Sequence, residues 1–168
     1  MGIDLQISVN ISASHLQQND FPTRLAALLT AHPEAPPHRL ELEILETSAL
    51  KSINRVSTTM LACTKLGVSF SIDDFGTGYS SLTYLRHLPA DLIKIDQSFT
   101  QSLHKTRTRA IVQSIVSLAH NLQLEVLAEG VETLEQSSIL QEMECHYLQG
   151  YYYGRPDVIH EVTPFLKI

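Results

Sequence analysis

Apolar segments of strand length alternate along this chain with stretches of helical spacing, and that alternation constrains the fold more than any other feature. Residues 5–11, 40–45, 68–72, 92–95, 124–128 and 146–152 read as strands; in the first, Leu5, Ile7, Val9 and Ile11 share one face. Between them lie a helix from Pro22 to about Ala31 behind an Asp20 cap, a breaker-rich loop from Pro33 to Pro37, and a helix over 54–66 closed by Gly67. A Gly-rich turn and a short helix before Pro89 follow. A helix over 108–122 carries Ile111, Ile115, Leu118, Ala119 and Leu122 on one stripe, and a last helix, capped by Thr133, runs to Met143. Strands separated by helices imply parallel β/α units, because parallel pairing needs a crossover. A doubly wound sheet and a (β/α)₈ barrel both satisfy this pattern.

The polar residues discriminate between them. Each strand ends in polar side chains: Asn10, then Glu43 and Glu46, Asp73 and Asp74, Lys94 and Asp96, Glu129 and Glu132, and Gln149. A barrel gathers all strand C-termini at one mouth, whereas an open sheet strings them along an edge, so six such ends favour the barrel. Carboxylates this dense repel one another unless a cation neutralises them. Glu43, Asp73, Asp74 and Glu129 with the Asn10 amide form a hard oxygen set suited to Mg²⁺ or Mn²⁺. Consecutive strand residues point to opposite faces, but at a strand end the backbone can turn and present both Asp73 and Asp74. Two ions about 3.5–4 Å apart are the layout of two-metal phosphoester hydrolysis. Lys94, a charge between Ile93 and Ile95, would orient a water or meet phosphate charge.

Other polar residues have plainer readings. Glu41 reads as a solvated strand residue, and Glu46 and Glu132 divide evenly between site roles and capping or salt-bridge roles. The glycines after Asp74 are by themselves weak support for phosphate binding. The eight histidines are scattered without ligand spacing. Cys63 lies in an apolar helical stripe, as a buried free thiol does, and neither it nor Cys145 has zinc-ligand spacing. Twelve basic against eighteen acidic residues give a net charge of −6, which argues against a general nucleic-acid binder. With no basic and apolar leader pattern and no apolar run of the ~18 residues a membrane helix needs, the expectation is a soluble, cytoplasmic chain.

Six ordered segments resemble the successive motifs of EAL domains: Ser8-Val9-Asn10-Ile11-Ser12, residues 41–46, Asp73-Asp74-Phe75-Gly76-Thr77-Gly78-Tyr79-Ser80-Ser81-Leu82, residues 94–99, Ala128-Glu129-Gly130-Val131-Glu132 and Gln149-Gly150-Tyr151. The resemblance implies a modified TIM-type barrel that hydrolyses cyclic di-GMP to linear pGpG with Mg²⁺ or Mn²⁺, most simply two ions. It implies metal ligation by Asn10, Glu43, Asp73 and Asp74. Glu129 would serve as a further ligand or activate water, and Lys94 would position that water. Residues 74–82 would form a mobile loop anchored by Glu46, while Asp96, Glu132 and Gln149 match further site positions. Homodimerisation through the loop and its following helix is implied as well.

The Glu-Ala-Leu tripeptide of the family is absent. A TIM-type barrel takes ~250 residues, and these 168 start at what resembles the third strand. The expectation is a partial EAL domain over 1–168, the C-terminal two-thirds, with about six of eight strands. The edges at 5–11 and 146–152 would then be unpaired, and a complementary or second chain would relieve them. The lost glutamate predicts no turnover by this chain alone. The alternative is a degenerate module that binds nucleotide or a protein partner without catalysis. An enolase-like barrel also places acids at strand ends, but gives no reason for the adjacent aspartates and the Gly-Thr-Gly-Tyr loop.

Overall fold

A computed structural model describes residues 5–49, 53–78 and 85–157. The elements run β1 (Ile7–Asn10), α1 (Ala13–Leu16), α2 (Phe21–Ala31), a 3₁₀ turn (Pro37–Arg39), β2 (Leu40–Leu45), α3 (Glu46–Ala49) and α4 (Ile53–Thr64). They continue with β3 (Ser69–Phe75), β4 (Leu92–Ile95), α5 (Gln97–Gln101), α6 (Thr106–Asn121), β5 (Glu125–Ala128), α7 (Leu134–Glu142) and β6 (Tyr147–Leu148). The strands form one sheet in the order β1-β2-β3-β4-β5-β6, with every neighbouring pair parallel. Right-handed crossovers that always advance in one direction put all helices on the same face and curl the sheet. A doubly wound sheet would reverse its order midway. The chain is therefore a curled half-barrel of TIM type, with β1 and β6 as its outer strands.

Strand alternation sorts the side chains. Leu42, Ile44, Phe70, Ile72, Ile93, Ile95, Val126 and Ala128 are buried against the helices, where Met60, Cys63, Val112, Val116 and Ala119 meet them. The alternate residues, among them Glu41, Glu43, Ser71, Asp73 and Lys94, occupy the concave face. Glu41 is consequently buried, accepting from Ser8 Oγ at 2.8 Å, and is not the solvated residue its neighbours suggest. Ile7 and Val9 lie on the helix-side face of the outer strand, yet they and Leu5, which falls before it, remain exposed.

Several boundaries differ from the sequence reading. The third strand runs past Ile72 through both aspartates, with a register shift between Ile72 and Phe75. The sixth is only Tyr147–Leu148, because the chain then turns onto the β5–α7 connection: Tyr152 N–H donates to Val131 O at 2.9 Å. Asp20 occupies the cap position of α2 without a capping bond and instead lies 4.0 Å from Arg24. Gly67, at φ 95°, ends the α4 connection as expected, and Thr133 with Gln136 forms a reciprocal capping box.

The buried stripe of α6 is Val112, Ile115, Val116 and Ala119, while Ile111 and Leu122 are exposed. Ile111 and Leu118 instead line a groove of about 430 Å³ with Phe75 and Phe99. The helix carries apolar residues on more than one stripe, so spacing alone did not select the buried one. Both cysteines are free, and burial pushes the Cys63 thiol up to about 11. Among the described residues, no helix is long and apolar enough to cross a membrane. The short helix expected before Pro89 falls largely on residues outside those described.

Candidate active site

The strand ends converge on Lys94. From β4 its ammonium reaches Glu129 Oε1 at 2.8 Å, Glu43 Oε1 at 2.9 Å and Asp73 Oδ1 at 3.3 Å, joining β2, β3, β4 and the residue after β5. Lys94 and Glu43 are buried, at 5% and 7% exposure, and Asp73 and Glu129 are partly buried. Burial works to lower the Lys94 pKa. The hydrogen bonds to Glu129 and Glu43 and the charges of Glu129 and Asp73 outweigh it and hold the group well above its ordinary value. Glu129 is shifted upward: burial and the charges of Asp73 and Glu43 outweigh its bond to Lys94.

The register shift in β3 explains how adjacent aspartates reach one site. Asp74 has φ 55°, a left-handed conformation that turns the backbone after Asp73. Asp73, Asp74 and Glu129 each offer a carboxylate oxygen, and these oxygens lie within 4.8 Å of one another. Burial raises the Asp74 pKa first, and the charges of Asp73 and Asp96 add to it. The donors are all hard oxygens, as Mg²⁺ and Mn²⁺ prefer, and the cluster has more negative charge than Lys94 neutralises, so its chemistry fits a divalent cation.

Around this cluster, Asp96 caps α5, accepting from Ser98 N–H at 3.0 Å and from the Ser98 hydroxyl, and faces Asp74. Glu46 is fully buried, and its Oε2 accepts from Gly76 N–H at 2.9 Å and Gly78 N–H at 3.4 Å. Replacing Glu46 by Ala leaves the Gly76 amide without its acceptor. Urea unfolding should register a loss of about 2 kcal/mol. Tyr79, Ser80, Ser81 and Leu82 lie outside the described residues.

Three further expected residues are exposed and make no side-chain bond to this cluster. Asn10 is exposed and is placed beside Glu43 by register alone. Glu132 is exposed, and its backbone N–H, not its carboxylate, bonds Gln136 Oε1 at 2.7 Å. Gln149 is exposed on the turn after β6, with its backbone tied to Ala128 and Val131. Ser71, absent from the sequence reading, is fully buried on the concave face beside Glu43, with its hydroxyl unpartnered. Its signal was a small polar residue inside the apolar run of β3.

The sequence profile of the EAL domain matches residues 1–156. The chain is 40% identical over 164 residues to the cyclic di-GMP phosphodiesterase NbdA of Pseudomonas aeruginosa, covering 97% of this chain and 21% of NbdA. Among solved structures it resembles the PaMucR phosphodiesterase in complex with c-di-GMP (TM-score 0.87, 39% identity), covering 94% of this chain and 64% of that one. It also resembles the EAL enzyme Bd1971 bound to cAMP and cyclic di-GMP (TM-score 0.90, 33% identity), covering 96% of this chain and 43% of that one. The chain thus spans about a fifth of NbdA's length. A profile match over nearly all 168 residues and the shared half-barrel lead to one conclusion: the chain belongs to the EAL domain family.

Proposed function

We propose that this chain is the metal-binding part of a cyclic di-GMP phosphodiesterase, forming linear pGpG, and that it needs further strands to turn over. The observation that carries the reading is the convergence of Glu43, Asp73, Glu129 and Lys94 from four successive strand ends, with Asp74 turned toward them. Asn10, Glu43, Asp73, Asp74 and Glu129 would hold Mg²⁺ or Mn²⁺, most simply two ions. When bound, such ions polarise a phosphodiester and make water acidic enough to attack it. Glu129 accepts the proton of the attacking water, and Lys94 meets the negative charge that builds on the phosphoryl oxygens. Glu46 keeps the Gly76–Gly78 backbone beside the cluster, and Asp96, Glu132 and Gln149 serve the substrate side of the mouth. The reading places the reaction in the cytoplasm.

The test is chromatographic separation of cyclic di-GMP from pGpG after incubation with Mn²⁺. It compares the 168-residue chain with the same chain fused to the part of the PaMucR domain it does not cover. We expect conversion by the fusion alone. Nucleotide retained by the fusion without conversion would make the chain a binding module instead.

The expected association through the loop and its following helix would use the groove that Phe75, Gly76 and Leu85 line together with Phe99 and α6. Ile111→Asp places a charge there and should shift the sedimentation of the chain from dimer to monomer.

A further inference from the structure

Two of the three carboxylates whose oxygens converge, Asp73 and Glu129, already hold the Lys94 ammonium, and Glu43 holds it as well. We propose that Lys94 is the built-in counter-ion of the unloaded centre, and that a divalent cation binds by taking over the carboxylates this ammonium holds. The inference rests on the metal-site reading above and gives Lys94 a task that precedes substrate.

The electrostatics require such a group. Glu43, Asp73, Asp74, Asp96 and Glu129 crowd one mouth, and Lys94 is the one cation among the described residues that is paired with them. Carboxylates this close repel one another, and a cation held among them relieves that repulsion. Lys94 cannot withdraw with its strand, because Ile93 and Ile95 on either side are fully buried in the core. Only its side chain can move. Ammonium and divalent cation are therefore alternatives for the same oxygens, and each weakens the hold of the other. Once displaced, the ammonium remains at the mouth, free to meet an anion that arrives after the cation.

The experiment compares the unmodified chain with Lys94→Met by thermal unfolding in EDTA and by calorimetric titration with Mn²⁺. Without the ammonium, the midpoint in EDTA should fall by about 10 °C, while Mn²⁺ should bind about tenfold tighter or better. Adding Glu43→Gln to Lys94→Met removes one uncompensated charge and should recover part of the lost midpoint, which a packing role for the lysine stem would not allow. Should Lys94→Met not fold in EDTA, recovery by Mn²⁺ or by Glu43→Gln supports the proposal, and recovery by neither overturns it. Mn²⁺ binding to the unmodified chain but no tighter to Lys94→Met overturns the counter-ion role and leaves the metal site standing. Failure of Mn²⁺ to bind either chain overturns both.

Discussion

Glu129→Gln is expected to cut the conversion of cyclic di-GMP to pGpG by the barrel-completed chain about 10³-fold while leaving the fold intact. The change keeps the size of the side chain and removes its charge. Glu129 Oε1 lies 2.8 Å from Lys94 Nζ, and a glutamine carbonyl can still accept that bond, so packing and register survive. What disappears is the group proposed to take a proton from water, together with one of three convergent carboxylate oxygens. Loss of a positioned base costs about 10²–10⁴-fold, and weakened cation binding adds to it. Turnover followed by chromatography, with circular dichroism as the control for folding, checks both halves. Undiminished turnover would remove Glu129 from the chemistry.

A large loss of stability is also expected from Gly150→Ala. A Cβ at this position would lie 2.2 Å from both the backbone N and O of Val131. Neither atom can yield cheaply: Val131 N–H donates to Gln149 O at 3.0 Å, and Val131 O accepts from Tyr152 N–H at 2.9 Å. The methyl group must push the turn after β6 off the connection that follows β5, breaking both bonds. We expect a loss of about 3 kcal/mol or more, read as a lower urea midpoint. Because Glu129 lies two residues before Val131, Mn²⁺ affinity should fall with it. An unchanged midpoint would mean that this turn is not held against Val131.

The course of the chain and the place where its acidic residues and Lys94 gather were legible in sequence for one physical reason. Apolar residues at strand spacing stop at Asp73, Asp74 and Glu129 and are interrupted by Lys94, where polar groups have no reason to sit unless they share a mouth. The sequence allowed a turn presenting both aspartates at a strand end; what spacing could not give was its place inside the strand. That turn depends on a left-handed residue at Asp74 within a strand that continues to Phe75. Burial of Glu41 was also hidden, since period-2 alternation names a face without telling whether that face is wet. The exposure of Ile111 depends on which of two apolar stripes of α6 meets the sheet. The sites assigned to Asn10, Glu132 and Gln149 rest on their strand-end positions and on resemblance, because their side chains make no bond to the acidic cluster.

The strictly sequential strand order has a consequence for how much of this domain can be lost. Each strand pairs only with its neighbours in the chain, so the contacts of the sheet resemble a linear array more than a closed ring. Removing a unit from either end subtracts one interface and leaves the remaining pairings in register. Such a sheet can be shortened or extended by whole β/α units without re-threading, and the interior units, which carry Asp73 and Lys94, are the last to be affected.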